Sequence, residues 1–220
     1  MGTQDLTAVI IGSAPGPRLD YVLPYLSGEE LVICADGGLE RALEIGLRPG
    51  WYVGDSDSGG HAPEGLPHWL LPSEKVLTDL EMGTETALKL GADRIILCGC
   101  TGGRADHHLE NFYLLEQIAM RGSRGLLLDA VNEVTYLTPG RYRVENRPRY
   151  HYFSLLPLDR ELSGLMLHNC RYTLEQPTTV RRGSSLTVSN EFAADGPAEI
   201  SFTGGSAFLI RSVPEEHAAE

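Results

Sequence analysis

The chain has 220 residues, 42% of them hydrophobic, enough for one large or two small folded domains and too many for a disordered chain. Its net charge of −12, with no basic cluster longer than Arg181-Arg182, excludes a nucleic-acid partner, because phosphates must be neutralised by grouped Lys and Arg. The opening residues show no basic region before an apolar stretch, and no run is long enough to span a bilayer, so a cytoplasmic chain without a membrane partner is expected.

Residues 7–12 form a short apolar run that ends in Gly12-Ser13-Ala14-Pro15-Gly16, which predicts a strand and a tight loop. A second strand at 31–35 ends at Asp36-Gly37-Gly38, and a helix is predicted from 39 to 44, stopping at Gly46. The third strand, Trp51-Tyr52-Val53, runs into Gly54-Asp55-Ser56-Asp57-Ser58. Thr78-Asp79-Leu80-Glu81 reads as a capping box, with Thr78 as N-cap and Glu81 three residues later. Its helix carries Leu80, Thr84, Ala87 and Leu88 on one face and ends at Gly91. After a strand at 94–98 comes Gly99-Cys100-Thr101-Gly102-Gly103-Arg104-Ala105-Asp106-His107. A helix is predicted to start with Asp106 as N-cap, with Leu109, Phe112, Leu115 and Ile118 aligned, and a strand follows at 125–129. Continuous apolar strands alternating with helices indicate a parallel sheet covered on both faces.

Beyond about residue 133 the texture changes to short β-prone pieces, at 134–137, 149–156, 186–189, 199–202 and 207–210. Gly, Pro, Asn and Asp separate them, which predicts a small antiparallel sandwich or barrel. The expected architecture is therefore an α/β doubly wound parallel-sheet domain over 1–133 and an antiparallel β-sandwich over 134–220, with a frayed tail from 215.

In open parallel sheets, ligands sit outside the carboxyl ends of the strands. That edge would collect the Gly12 loop, Asp36, Asp55, Asp57 and the loop 99–106. Residues i and i+2 of an extended chain point the same way, so Asp55 and Asp57 can face one hard divalent cation; an Asx-turn is the plainer alternative. Glycines and an arginine ahead of a helix start suit phosphate oxygens. Asp36 serves equally as a helix cap or a ligand. Cys34, Cys98, Cys100 and Cys170 contain no Cys-x-x-Cys pair and are expected to be reduced and buried, and Cys98 and Cys100 with His107 and His108 match no common zinc spacing. No Gly-x-Ser-x-Gly elbow exists, which removes a serine-hydrolase triad.

Taken in order, Ala35-Asp36-Gly37-Gly38, Gly54 to Ser58, Lys75 with Thr78-Asp79, Gly99 through Asn111, and Ser189-Asn190-Glu191 resemble the thiamine pyrophosphokinase (thiamine diphosphokinase) family across nearly the whole chain. Thr101 to Asn111 carries the most specific part, similar to that family's Gly-Gly-Arg-x-Asp-His-x-x-x-Asn segment. The chain departs from the family in having Ser56 where an aromatic is usual, Val76 where an acid follows the lysine, and a blurred turn over 164–172.

The resemblance implies transfer of a diphosphoryl group from ATP to the hydroxyl of thiamine, releasing AMP. It assigns Mg²⁺ to Asp55, Asp57 and Asp79, and catalysis to these three with Lys75 and Arg104. ATP falls to Asp36, Thr101, Gly102, Gly103, Arg104, His107 and Asn111. Thiamine falls to Asp106, Ser189 and Asn190, Asp106 being equally a helix cap. It also implies a homodimer with a composite site. Other readings are a pyrophosphokinase for another heterocyclic alcohol such as a pterin, a non-catalytic nucleotide-binding regulator, or a metal-dependent phosphohydrolase.

Overall fold

Runs of Val, Ile, Leu and Ala with no polar interruption are stable as strands only when both faces of their sheet are covered. The computed structural model describes residues 5–55, 65–71, 77–193 and 196–214. It divides the chain into two units, Met1–Ala130 and Val131–Glu220.

The first unit holds β1 (Thr7–Ile11), β2 (Leu31–Ala35), β3 (Trp51–Asp55), β4 (His68–Leu71), β5 (Arg94–Cys98) and β6 (Arg124–Leu128). All pair in parallel, in the order β6-β5-β1-β2-β3-β4. Helices α2 (Asp79–Lys89) and α3 (Ala105–Met120) lie on one face. Gly83 lets α2 settle onto Ile10 and Ile33, where an added Cβ would come within 3.0 Å of Ile10, and Leu115 and Ile118 of α3 pack beside Gly125. The other face is covered by a 3₁₀ helix over Leu19–Tyr25 and by α1 (Gly38–Glu44). Leu19, Val22 and Ala42 there join Val9, Ile11, Val32, Cys34, Ile96 and Cys98 in one apolar cluster. Alternate residues of the same strands thus feed two cores, as a doubly wound sheet requires.

In α2 the buried side is Leu80, Gly83, Thr84, Thr86 and Ala87, so two threonines stand where apolar residues would be expected. Their hydroxyls are satisfied inside the helix, Thr84 donating to the Leu80 carbonyl at 2.9 Å and Thr86 to that of Met82 at 2.8 Å. Two elements of this unit carry no clear sequence signal. The segment between β1 and β2 is the 3₁₀ helix with Pro24 inside it, and β4 is a four-residue strand at the sheet edge.

The second unit is antiparallel throughout. One sheet runs β12 (Asn190–Glu191), β9 (Tyr152–Pro157), β14 (Ala207–Ser212), β7 (Asn132–Leu137). The other runs β11 (Leu174–Arg181), β10 (Glu161–His168), β13 (Ala198–Phe202), β8 (Gly140–Val144). Phe153, Leu155 and Leu209 from the first sheet share a core with Leu162, Leu165, Leu167, Ile200 and Phe202 from the second, which makes the unit a β-sandwich. Glu133 is buried between Arg211 and Arg147, so its charge is paired from two sides. No helix among the described residues is long and apolar enough to cross a membrane.

Candidate active site

The strand order reverses at β1. The chain leaves β1 for β2 and β3 on one side and returns to β5 and β6 on the other. A crevice outside the carboxyl ends of the strands is expected at such a switch point. Here the loops after β1 and β5 are bonded to each other: the Gly12 N–H donates to the Cys98 carbonyl and the Ala14 N–H to the Gly99 carbonyl, both at 2.9 Å. Gly12 and Gly99 are so close that a Cβ on either would lie 2.6 Å from the other's carbonyl oxygen. A cleft of about 670 Å³ opens above them, lined by Gly12 to Pro15, Ala35, Asp36, Leu77 to Leu80, Gly99, Cys100, Gly102 to Arg104, His107 and Asn111.

The loop into α3 turns through left-handed backbone at Gly99, Gly102 and Gly103, with φ of 62°, 93° and 75°. At Gly102 the need for glycine is double, because a Cβ would also meet the Pro15 carbonyl at 2.8 Å. Asn111, reaching back from α3, donates to the Cys100 carbonyl at 2.7 Å and anchors the loop from below. The helix begins at Ala105 with Arg104 as its N-cap residue, two residues before the Asp106 cap that the sequence suggests. Asp106 therefore sits inside the first turn. Its carboxylate accepts two bonds from the Arg104 guanidinium, at 3.1 and 2.6 Å, and one from the His107 N–H at 2.9 Å. The guanidinium and that N–H hold the Asp106 carboxyl down at about 2. Both partners face solvent, so the pair aims Arg104 at the cleft mouth without contributing much stability. The first turn of a sixteen-residue helix adds a partial positive charge beside it.

The acidic side of the cleft comes from β2 and α2. Asp36 follows β2 with φ of 51°, a conformation that Asp tolerates better than most residues, and its N–H bonds to the Val53 carbonyl at 2.8 Å. Asp79 is the first residue of α2; Thr78 before it caps the helix, accepting from the Glu81 N–H at 3.2 Å. Asp55 is the last residue of β3, at the same carboxyl edge. Asp57 and Lys75 lie outside the described residues. Among the described residues no three His, Cys, Asp or Glu side chains gather into a metal cage. Thr101 belongs to the loop but not to the cleft lining.

In the sandwich unit, Ser189 is left-handed at φ 55° and its N–H donates to the Ser154 hydroxyl at 2.9 Å. Asn190 turns inward and is only 3% exposed. Its Oδ1 accepts from the N–H groups of Tyr172 and Glu191, and its Nδ2 donates to the Tyr172 carbonyl and the Cys170 sulfur. That amide clamps the Tyr172 backbone from both sides, while the Tyr172 ring is half exposed with the Arg171 guanidinium 5.4 Å from its centre.

Two family models cover most of the chain: the thiamin pyrophosphokinase catalytic domain matches residues 22–124, and the thiamin pyrophosphokinase vitamin B1 binding domain matches residues 141–206. Thiamine pyrophosphokinase of Bacillus subtilis is 30% identical over 212 residues, covering 94% of this chain and 98% of the relative. The chain belongs to the thiamine pyrophosphokinase family. Solved structures agree. The crystal structure of the Bacillus subtilis protein superposes with a TM-score of 0.85 at 29% identity, over 94% of this chain and 99% of that one. The thiamin pyrophosphokinase of Geobacillus thermodenitrificans superposes with a TM-score of 0.84 at 32% identity, over 96% and 99%. The activity is that of the family, a transferase and kinase of thiamine diphosphate synthesis.

Within that family frame, the cleft brings together Asp36, Asp79, Gly102, Gly103, Arg104, His107 and Asn111 from four separate elements. Ser13 and Pro15 line it as well, as part of the Gly12 loop that the sequence places at this edge without giving either residue a role. Their only signal is the glycine-bracketed loop after a buried strand.

Proposed function

We propose that this cleft binds the triphosphate of ATP and that the chain transfers its terminal diphosphoryl group to the hydroxyl of thiamine, giving thiamine diphosphate and AMP. The observation that carries the reading is the junction of Asp36 and Asp79 with the Gly99–Arg104 loop at the sheet's switch point. The hydroxyl oxygen attacks the β-phosphorus and gives up its proton to water, the bond from that phosphorus to the α-phosphate bridging oxygen breaks, and AMP departs with the bond's electron pair. Arg104 grips phosphate oxygens with its planar fork, Lys75 adds a point charge, and the N–H groups around Gly102 and Gly103 complete the cradle. Asp36 orders the thiamine hydroxyl, while Thr101, His107 and Asn111 shape the nucleotide side.

Asp55, Asp57 and Asp79 form an all-carboxylate donor set, the kind that suits a hard cation; Asp79 lines the cleft and Asp55 closes the neighbouring strand. Mg²⁺ held there would neutralise charge on the β- and γ-phosphates. Ser189 meets thiamine from the sandwich, and Asn190 serves it by holding the adjoining turn. Asp106 acts through Arg104 or by touching the aminopyrimidine. The working form is a cytoplasmic homodimer whose sites draw on both protomers.

The test is direct: incubate the chain with ATP, Mg²⁺ and thiamine and resolve the products by chromatography. Thiamine diphosphate and AMP should appear in equal amounts. ADP with thiamine monophosphate would replace this chemistry by ordinary kinase transfer. Thiamine-independent phosphate release would mark a phosphohydrolase.

A further inference from the structure

One charged side chain near the cleft belongs to none of the roles above. Arg41, on α1, is not among the cleft-lining residues, yet it is bound to the loop that is. Its Nη1 donates to the Ala14 carbonyl and its Nη2 to the Pro17 carbonyl, the latter at 2.7 Å. Between those carbonyls stands Pro15, whose own carbonyl and ring lie against Gly102 and Gly103. Ala14 is tied in turn to Gly99, and the Gly99 N–H donates to the Tyr21 hydroxyl at 3.3 Å. A Cβ on Gly99 would lie 3.0 Å from Arg41 Nη1, so the guanidinium sits directly behind both glycine loops.

We infer that Arg41 is the positioning residue of the phosphate cradle: a fork that braces the 12–17 loop and, through Pro15, sets the Gly99–Arg104 loop for a polyphosphate. The inference rests on reading the cleft as the ATP site. Two physical effects support it. A guanidinium offers donors in a rigid plane, so one side chain can fix two carbonyls at a set spacing, which a flexible ammonium does less well. Carbonyl oxygens also repel phosphate, and drawing that of the cleft-lining Ala14 onto a cation offsets its negative dipole end. The charge is felt as far as the end of β5, where burial pushes the Cys98 thiol up to about 12 and Arg41 is the largest influence opposing it.

Arg41 lies outside the cleft lining and braces only the phosphate loops, so its loss should move ATP far more than thiamine. Steady-state kinetics of Arg41→Ala should show KM for ATP raised about tenfold or more, since displacements of an ångström in a preorganised site carry effects of that order. KM for thiamine should stay within about twofold, because neither Asp106 nor Ser189, the residues proposed to meet it, is bonded to Arg41 or to the 12–17 loop among the described residues. Arg41→Lys should fall between wild type and Arg41→Ala. Guanidinium ion added at millimolar concentration should lower the ATP KM of Arg41→Ala and leave wild type unchanged. Should the alanine variant not fold, Arg41→Lys and Arg41→Gln read the same split. Equal rises in both KM values, or a lowered melting temperature with ATP KM unmoved, overturn the inference while leaving the cleft reading in place. A wild-type chain that makes no thiamine-dependent AMP overturns the cleft reading and this inference with it.

Discussion

At the scale of single residues, the left-handed glycines on either side of α3 do two jobs that separate cleanly. Gly102 has φ of 93° and a Cβ there would lie 2.8 Å from the Pro15 carbonyl, whereas Gly122 has φ of 84° with nothing within 4 Å. Both positions are strained for alanine, so Gly102→Ala and Gly122→Ala should each lower the melting temperature by a few degrees, about 1 kcal/mol of backbone strain. Only Gly102→Ala should also raise KM for ATP, because only there must the loop move. A matching ATP effect in Gly122→Ala would remove the distinction. The thiols yield a second expectation. Burial pushes Cys34 and Cys98 up to about 12 and Cys100 well above its ordinary value. An unfolded thiol ionises near 8.5, so the native chain keeps protons that the unfolded chain loses as pH rises. The stability contributed by these thiols is whole below about pH 8.5 and declines toward pH 12, which urea melts at pH 7, 9 and 10 can follow. At pH 8 a thiol-specific disulfide reagent should label the folded protein slowly and all 4 cysteines only after unfolding.

At the scale of elements, the start of α2 places a structural and a chemical residue side by side. Thr78 caps the helix through its hydroxyl and Asp79 faces the cleft one residue later. Thr78→Ala should cost about 1 kcal/mol in stability with little loss of kcat. Asp79→Asn should do the reverse, cutting kcat on the order of a hundredfold with the melting temperature nearly unchanged. The opposite pairing of outcomes would assign Asp79 to the helix dipole. The elements of the first unit were the most legible in the sequence, because β1, β2 and β5 each carry an unbroken run of four or five apolar residues followed by glycine within two positions. Those of the sandwich were less so. β10 contains Gly164, β8 carries Arg141 and Arg143 on its outer side, and β11 includes Pro177 and is largely exposed. β11 pairs only with β10 among the described strands, and an edge position is where proline is tolerated in a sheet. Residues 186–189, apolar enough to suggest a strand, instead form the turn that leads into the two-residue β12. Their backbone is bound from outside the segment: the Leu155 N–H takes the Thr187 carbonyl, and the Ser189 N–H goes to a side chain.

At the scale of the whole molecule, the proposed homodimer should scatter light as twice the 24.0 kDa chain. Mixing an Asp55→Asn chain with a Ser189→Ala chain should recover activity above that of either alone, since half of the sites in a mixed dimer would then hold both wild-type residues. A monomer that turns over at full rate, or mixtures without recovery despite subunit exchange, would set the shared site aside.

The sequence by itself determined what depends on near neighbours in the chain. Strand and helix type follow from apolar periodicity, the Thr78 cap from one hydroxyl, the left-handed turns at Gly102 and Gly103 from the missing Cβ, and family membership from ordered short motifs. Tertiary structure decided which distant residues meet. Only the insertion of β1 between β2 and β5 brings Gly12 onto Gly99, 87 positions apart, and sets Asp36 and Asp79 around one cleft. It also turned Asn190 inward to clamp Tyr172 and placed Arg41 behind the loops. Neither outcome is written in local preference, because an amide or a guanidinium is equally content in water. Each is settled when burial removes that water and leaves specific backbone carbonyls to be satisfied.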